Sequence, residues 1–161
     1  MTGLPPAPPP SREYPDRPWV GIGVIVFRGE EVLLVRRARP PRQGEWSIPG
    51  GAQHLGETVE EAARRELLEE TGVAAGPLHI ALAVDAINHD EEGRPRFHYT
   101  IIDFAARWLA GTPQAGDDAS EAAWFTRKQL SSLGLRAEVL RAIAEGRRRL
   151  DAEEPPFRNP A

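Results

Sequence analysis

Three glutamates, Glu66, Glu69 and Glu70, crowd one short segment that has the composition of a helix. An α-helix advances about 100° per residue, so Ala63 and Leu67 belong to one apolar stripe. Glu70 falls inside that stripe, Glu66 lies at its edge, and Glu69 lies about 60° beyond Glu66. The spacing therefore predicts that three carboxylates converge beside the face of the helix that should be buried.

Two interpretations of this glutamate cluster follow from the helical wheel. Crowded or buried carboxylates repel one another, and the repulsion is relieved when a cation binds between them. Clustered hard oxygen ligands of this kind suit Mg²⁺ or Mn²⁺. The alternative is a solvated acidic face whose glutamates pair with Arg64 and Arg65. The wheel alone leaves the metal site and the solvated face equally open.

The helix that carries the glutamates has clear limits in the sequence. From Thr58 to Thr71 there is no proline or glycine, and Gly72 stands where a helix C-cap belongs. Before the helix, Trp46–Ile48 is predicted as a short strand that stops at Pro49-Gly50-Gly51. The sequence thus places a glycine turn close to the start of the glutamate helix.

Apolar runs predict strands on both sides of this helix. Gly29-Glu30 separates the first two runs and is typical of a hairpin. In chain order the predicted elements are strands Val20–Arg28, Glu31–Arg37 and Trp46–Ile48, the helix Thr58–Thr71, strands Pro77–Ile87, Phe97–Leu109 and Ala122–Thr126, and helices Arg127–Leu133 and Arg136–Leu150. This order predicts the α/β (α+β) class, with a mixed β-sheet sandwiched between helices.

The strand Pro77–Ile87 and the strand after it are expected to pair antiparallel across the turn at Asn88–Pro95. Along the first of these strands the apolar residues alternate with other residues, so they should share one side of the sheet. These residues are Leu78, Ile80, Leu82, Val84 and Ala86.

The segment Gly51–Val73 resembles the Nudix box, written GX₅EX₇REUXEEXGU with U an aliphatic residue. Every constrained position of the box is filled across its 23 residues. The matching residues are Gly51, Glu57, Arg65, Glu66, Leu67, Glu69, Glu70, Gly72 and Val73.

The resemblance implies a Nudix fold and a catalytic set built from the box. That set comprises Glu57, Arg65, Glu66, Glu69 and Glu70. The three helix glutamates are the implied ligands of Mg²⁺ or Mn²⁺, joined by a backbone carbonyl at Gly50 or Gly51. Glu57 and Arg65 are the implied pair that braces the loop before the helix.

The implied reaction is metal-dependent hydrolysis of a pyrophosphate bond in a nucleoside diphosphate linked to another moiety, either an ADP-ribose-like compound or a (d)NTP. A water attacks one phosphorus in line, and a carboxylate takes its proton. The candidate bases are Glu66, Glu70, Asp117, Asp118 and Glu121. The rival hypothesis is an inactive Nudix-fold nucleotide sensor, but such proteins typically lose box glutamates. An isomerase of isopentenyl diphosphate would need a cysteine, and the sequence has none.

Candidate substrate-binding residues lie outside the box. Arginine suits bidentate phosphate recognition, and several arginines precede the glycine turn. Because neighbouring strand residues point to opposite faces, only one of Arg36 and Arg37 can be directed inward. The predicted substrate contacts are Arg37, Arg39, Arg42, Asp118 and Glu121. Subfamily markers after the box are absent, so the sequence leaves the choice of substrate open.

Composition sets the remaining expectations. The net charge of −4 argues against a general nucleic-acid binder, which needs a basic surface. The longest apolar run is too short for a bilayer span and no secretory signal is visible, so a cytoplasmic protein with no membrane contact is expected. Prolines predict a tail at residues 1–18, before a Nudix domain at 19–150 and a second tail at 151–161. A homodimer is a further expectation from the family.

Overall fold

The computed structural model describes residues 11–116, 118–152 and 155–160. Within them the chain forms eight strands and three helices. In chain order these are β1 Trp19–Arg28, β2 Glu31–Arg37, β3 Trp46–Ser47, β4 Gly50–Ala52, α1 Val59–Thr71, β5 Ala74–Ala75, β6 His79–His89, β7 Pro95–Ala110, β8 Ala119–Thr126, α2 Arg127–Leu130 and α3 Ala137–Asp151.

Strand β1 is the centre of a mixed sheet. It runs parallel to β7 along almost its whole length, and β6 lies antiparallel to β7 on the far side. The first half of β1 pairs with β4, whereas its end forms the hairpin with β2. Strand β2 in turn pairs antiparallel with β3 and with β8. The short strand β4 is therefore held against the middle of the sheet, directly before the loop that leads into α1.

The two long helices cover opposite faces of this sheet. On one face α1 packs on a core that includes Val24, Val26 and Leu67. On the other face α3 packs on a core that includes Ile25 and Ile143. The predicted mixed sheet between helices is confirmed. None of the helices in the described ranges is long and apolar enough to cross a membrane.

The predicted strand pattern is wrong at one point in β6. A bulge between Ile80 and Leu82 shifts the register against β7. As a result Ile80 packs in the core beneath α1, whereas Leu82 packs in the core beneath α3. A β-bulge adds one residue to a strand and reverses which face the later side chains occupy, so the strict alternation expected from the sequence breaks here.

Both chain ends have described residues that contact the domain. Near the C-terminus, the ring of Phe157 lies 5.6 Å from that of Phe104, and the Phe157 N–H donates to the Leu78 carbonyl at 2.7 Å. The last part of the proposed C-terminal tail thus packs against the core. Most of the proposed N-terminal tail lies outside the described residues, and the division into tails and domain stays a prediction.

Asp103 is a carboxylate buried in the middle of β7. Its side chain lies on the α3 face, against Gly23 of β1 and the end of Ile48, and the residue is 6% exposed. A Cβ on residue 23 would overlap the carboxylate, so glycine makes room for it. Among the described residues no hydrogen bond or ion pair reaches the Asp103 carboxylate, and burial raises its pKa to about 6.

We expect Asp103→Asn to raise the free energy of unfolding at pH 8 by up to about 3 kcal/mol. The folded-state pKa of about 6 lies above the ordinary 3.8, so wild-type stability falls as pH rises from about 4 through 6. Asparagine does not titrate there and escapes that loss. Urea unfolding at pH 4 and pH 8 measures the difference, which should vanish at pH 4. Equal stability of the two proteins at pH 8 would contradict this expectation, and Asp85→Asn, at an exposed position on β6, is the control.

Candidate active site

Helix α1 is fixed at both ends by its caps. The Thr58 hydroxyl accepts from the Glu61 N–H at 3.1 Å, and the Glu61 carboxylate accepts from the Thr58 N–H at 2.7 Å. Gly72 ends the helix with a φ of 68°, a value that favours glycine. The buried residues of the helix are Ala62, Ala63, Leu67 and Thr71. Caps and buried face together set the rotation of α1 and place Glu66 and Glu70 along one edge of the apolar stripe.

Arg65 ties the loop before the helix to the helix itself. Its guanidinium donates to both carboxylate oxygens of Glu57, through Nε to Oε1 and through Nη2 to Oε2 at 3.0 Å. The same Nη2 donates to the Ala52 carbonyl at 3.1 Å, and the His54 N–H donates to Glu57 at 2.8 Å. The hydrogen bonds from Arg65 and then from the His54 backbone lower the pKa of Glu57 to about 2. These bonds support the predicted bracing pair.

The remaining nitrogen of Arg65 binds two further glutamates of the box, Glu66 and Glu69. Its Nη1 donates to Glu66 Oε1 at 2.8 Å and to Glu69 Oε2 at 3.2 Å. The Glu66 side chain is 13% exposed, whereas that of Glu69 is 44% exposed. Glu69 therefore lies on the outer side of Arg65, apart from Glu70.

Glu70 is a box carboxylate whose pKa is raised, in the direction opposite to that of Glu57. Its Oε2 accepts a hydrogen bond from the Gly50 N–H of β4 at 2.9 Å. Burial raises the pKa of Glu70 to about 7, and the negative charge of Glu66 adds to the effect against the opposing Gly50 hydrogen bond. An uncompensated carboxylate beside a second carboxylate is an environment that a cation would stabilise.

A pocket of about 180 Å³ opens beside these carboxylates. It carries both signs of charge, since acidic residues of α1 and two arginines line it together. The lining residues are Arg12, Val35, Arg37, Ser47, Ile48, Gly50, Gly51, Ala52, Glu66, Glu70 and Asp118. The arrangement suits a ligand that carries phosphate and a divalent cation at once.

The chain is similar to known proteins over most of this architecture. A family model described as the NUDIX domain matches residues 17–146. The chain belongs to the NUDIX family. Both the Nudix resemblance of the box and the prediction of a hydrolase of this family are confirmed.

Three similar proteins illustrate the range of the Nudix family. The "ADP-ribose pyrophosphatase" of Methanocaldococcus jannaschii is 35% identical over 123 residues, which cover 76% of this chain and 70% of that protein. The mouse "oxidized purine nucleoside triphosphate hydrolase" is 35% identical over 107 residues, which cover 66% of this chain and 65% of that protein. The crystal structure of a MutT NUDIX hydrolase from Burkholderia pseudomallei aligns with a TM-score of 0.69 at 29% identity, covering 81% of this chain and 98% of that one.

The predicted substrate contacts outside the Nudix box separate into two groups. Arg37 and Asp118 line the pocket, and Arg39 pairs with Asp118 at 3.0 Å on its rim. Arg42 does not line the pocket. Neither does Glu121, because Arg36 on the opposite face of β2 binds it at 2.8 Å.

Other expectations for this region have mixed outcomes. Asp117, the other acid considered before β8, lies outside the described residues. Arg12 was not foreseen, since the proline-rich segment around it carries no signal of a site. Ser47 was not foreseen either, although it lies in the predicted strand before the glycine turn and now lines the pocket.

Two of the three carboxylates predicted to bind a divalent cation, Glu66 and Glu70, lie together in the pocket. Among residues 11–116, 118–152 and 155–160, no three acidic, histidine or cysteine side chains approach closely enough to enclose an ion. Glu66 and Glu70 nevertheless line the same pocket beside the backbone of Gly51, and Mg²⁺ commonly completes its shell with water and phosphate oxygens. Glu69 does not line this pocket, and its side chain is 44% exposed.

At Gly51 of the Nudix box, a side chain would overlap Glu66, one of the candidate metal ligands. A Cβ there would stand 2.6 Å from Glu66 Oε2, well inside contact distance. We expect Gly51→Ala to fold and to lose about tenfold or more in kcat/KM, because the Glu66 carboxylate must move out of place. Circular dichroism and steady-state kinetics measure the two effects. Gly76→Ala, whose Cβ would lie 3.6 Å from the Arg107 carbonyl oxygen in ordinary contact, is the matched control. Wild-type activity of Gly51→Ala would overturn the expectation.

Proposed function

We propose that this Nudix protein hydrolyses the pyrophosphate bond of a nucleoside diphosphate linked to a second moiety, with Mg²⁺ or Mn²⁺ as cofactor. The observation that carries the proposal is the pocket that Glu66 and Glu70 line together with Arg37 and Gly51. ADP-ribose-like compounds and (d)NTPs are the proposed substrates. The names of the archaeal and mouse relatives point to these two classes, and both contain a pyrophosphate.

Glu66, Glu70 and the Gly51 backbone would hold the cation in this proposal. When bound, a divalent cation neutralises phosphate oxygens and lowers the pKa of a bound water. Glu57 and Arg65 keep the loop and α1 in register, which fixes the distance between β4 and the glutamates. Glu69 lies outside the lining of the pocket, so its proposed role is to hold Arg65 in place through the bond to Nη1.

The attacking water needs a carboxylate that can take its proton. The proposed candidates are now Glu66, Glu70 and Asp118, because these line the pocket. Glu121 does not line the pocket, and its carboxylate is bound to Arg36. Arg37 is the proposed contact for a phosphate oxygen, because it lines the pocket and only its Nε donates to the Pro41 carbonyl, at 3.1 Å, which leaves its other N–H groups for a ligand.

A panel of nucleotides with Mg²⁺ or Mn²⁺ tests the proposal. ADP-ribose, (d)NTPs and oxidised purine nucleotides are incubated with the protein, and products are identified by mass spectrometry. We expect release of a nucleoside monophosphate and a phosphorylated partner, with loss of activity in EDTA. In ¹⁸O-labelled water, the product that carries the label identifies the phosphorus that is attacked.

The sensor hypothesis predicts a different result from the same panel. A sensor would bind nucleotides tightly and give no turnover with any metal, and that outcome would overturn the proposed hydrolysis. All box glutamates are present, which supports an active enzyme. A homodimer and a cytoplasmic location stay predictions, which size-exclusion chromatography with light scattering and cell fractionation can test.

A further inference from the structure

The residues before β1 form a strap, residues 11–18, against the turn end of the β6–β7 hairpin. The Tyr14 N–H donates to the Arg96 carbonyl at 2.8 Å, and Arg96 Nε binds the Glu13 carboxylate at 2.7 Å. The guanidinium of Arg94 lies over the Tyr14 ring, 5.2 Å from its centroid. Backbone, ion-pair and cation–π contacts thus anchor the strap at Glu13 and Tyr14.

The residue next to this anchor reaches the active site. Arg12 lines the same pocket as Glu66 and Glu70, and its guanidinium lies 5.6 Å from the centroid of the Trp19 ring. Among the described residues no carboxylate forms an ion pair with Arg12. By contrast, Arg17 of the same strap is 79% exposed and pairs with Asp16 at 2.6 Å.

The charges that line the pocket indicate which kind of ligand Arg12 would bind. Arg12 and Arg37 both line the pocket without an ion-paired carboxylate in the described part of the chain, while Glu66 and Glu70 supply negative charge. Arginine is always protonated, and its planar fork matches phosphate oxygens. A cation bound at the glutamates would leave the two arginines for a phosphate that the cation does not cover.

We propose that the strap is part of the active site and that Arg12, together with Arg37, binds a phosphate of a nucleoside-diphosphate substrate. This inference rests on the proposed function for the identity of the ligand. Arg12 is a substrate-binding residue in this assignment, and Glu13 and Tyr14 are positioning residues that act through it. The strap's anchor on the β6–β7 hairpin thereby becomes a determinant of substrate affinity.

Binding of α,β-methylene-ADP, whose P–C–P linkage resists hydrolysis, tests the assignment in the 161-residue protein with Mg²⁺. Calorimetry should give a Kd about tenfold higher for Arg12→Ala than for Arg17→Ala, the matched control, because one charged hydrogen-bonding group is lost. Tyr14→Ala should weaken binding in the same direction although Arg12 is present. A Kd for Arg12→Ala within twofold of the Arg17→Ala value would overturn the inference, as would a wild-type protein that does not bind the analogue.

Kinetics with the hydrolysed substrate separates this inference from the proposed function. In an active enzyme Arg12→Ala should raise KM about tenfold and change kcat by less than about threefold, as expected for lost uniform binding. A wild-type protein that binds the analogue but hydrolyses nothing would overturn the proposed function and leave the strap's role supported by the Kd values. An active enzyme whose KM is unchanged by Arg12→Ala would overturn the strap's role alone.

Discussion

Replacing Glu70 with glutamine is expected to lower turnover by at least about 10²-fold without unfolding the protein. Glutamine can still accept the hydrogen bond from the Gly50 N–H, so the contact between β4 and α1 is kept. What is lost is the negative charge beside Glu66 that the proposed cation requires. Steady-state kinetics with saturating Mg²⁺ measures the effect, and Glu60→Gln on the first turn of α1 is the matched control. Near-wild-type turnover of the Glu70→Gln variant would remove the metal-site assignment.

The same variant should be more stable than the wild type in metal-free buffer. Burial raises the pKa of Glu70 from the ordinary 4.5 to about 7, so the wild type loses stability as pH rises from about 4.5 through 7. At pH 8 the gain for Glu70→Gln should reach at most about 3 kcal/mol, and at pH 4 it should vanish. Urea unfolding in EDTA measures it. Lower activity with higher stability would distinguish a functional carboxylate from one that holds the fold together.

The release of a proton when Mg²⁺ binds provides a second test of the proposed role of Glu70. Because metal ligands must be deprotonated, Mg²⁺ binding at pH 6.5 should displace a proton from the wild-type carboxylate. The Glu70→Gln variant has no such proton to release. Calorimetric titration in two buffers of different ionisation enthalpy detects the difference without depending on turnover.

Helix α1 shows how far the sequence could predict this site. The absence of glycine and proline from Thr58 to Thr71 and the glycine at position 72 predicted the element within one residue at its start. The wheel also placed Glu70 inside the apolar stripe and Glu66 about 40° away at its edge, and both line the pocket. Glu69 is about 100° from Glu70 on the same wheel, which explains why the structure does not bring the third carboxylate to it.

Long-range contacts explain what the sequence could not predict. Strand β4 contains two glycines after a proline, a composition typical of a turn, and it is a strand because β1 offers it antiparallel partners. The bulge at Ile80 and Leu82 depends on the register with β7. Arg12 lines the pocket from a strap that the β6–β7 hairpin contacts at Tyr14. Each of these features depends on segments distant in sequence, which periodicity within one segment does not report.

Arg65 is the second residue whose replacement should have a large effect. Its guanidinium joins Glu57, the Ala52 carbonyl, Glu66 and Glu69, so it connects the loop, β4 and α1 at one point. Lysine keeps the charge but offers no planar fork, and it cannot bind both oxygens of Glu57 while reaching Glu66. We expect Arg65→Lys to lower kcat by about 10²-fold through misplacement of Glu66, and to lower the thermal midpoint.

The test of this role compares two neighbouring arginines and one double variant. Arg64→Lys is the matched control, because Arg64 binds Glu60 and the Ala75 carbonyl on the outer side of α1, away from the pocket. Glu57→Gln should reproduce much of the loss, and the double variant Glu57→Gln with Arg65→Lys should lose less than the sum of the two, since each replacement breaks the same connection. Additive losses would show that the two residues affect turnover independently of the bond between them. An Arg65→Lys enzyme with wild-type kcat would show that the Arg65 fork does not position the proposed catalytic carboxylates. Sub-additive losses would instead show that the two residues act on turnover through the bond they share. That result would place the Glu57–Arg65 pair among the determinants of catalysis, acting through the position of Glu66.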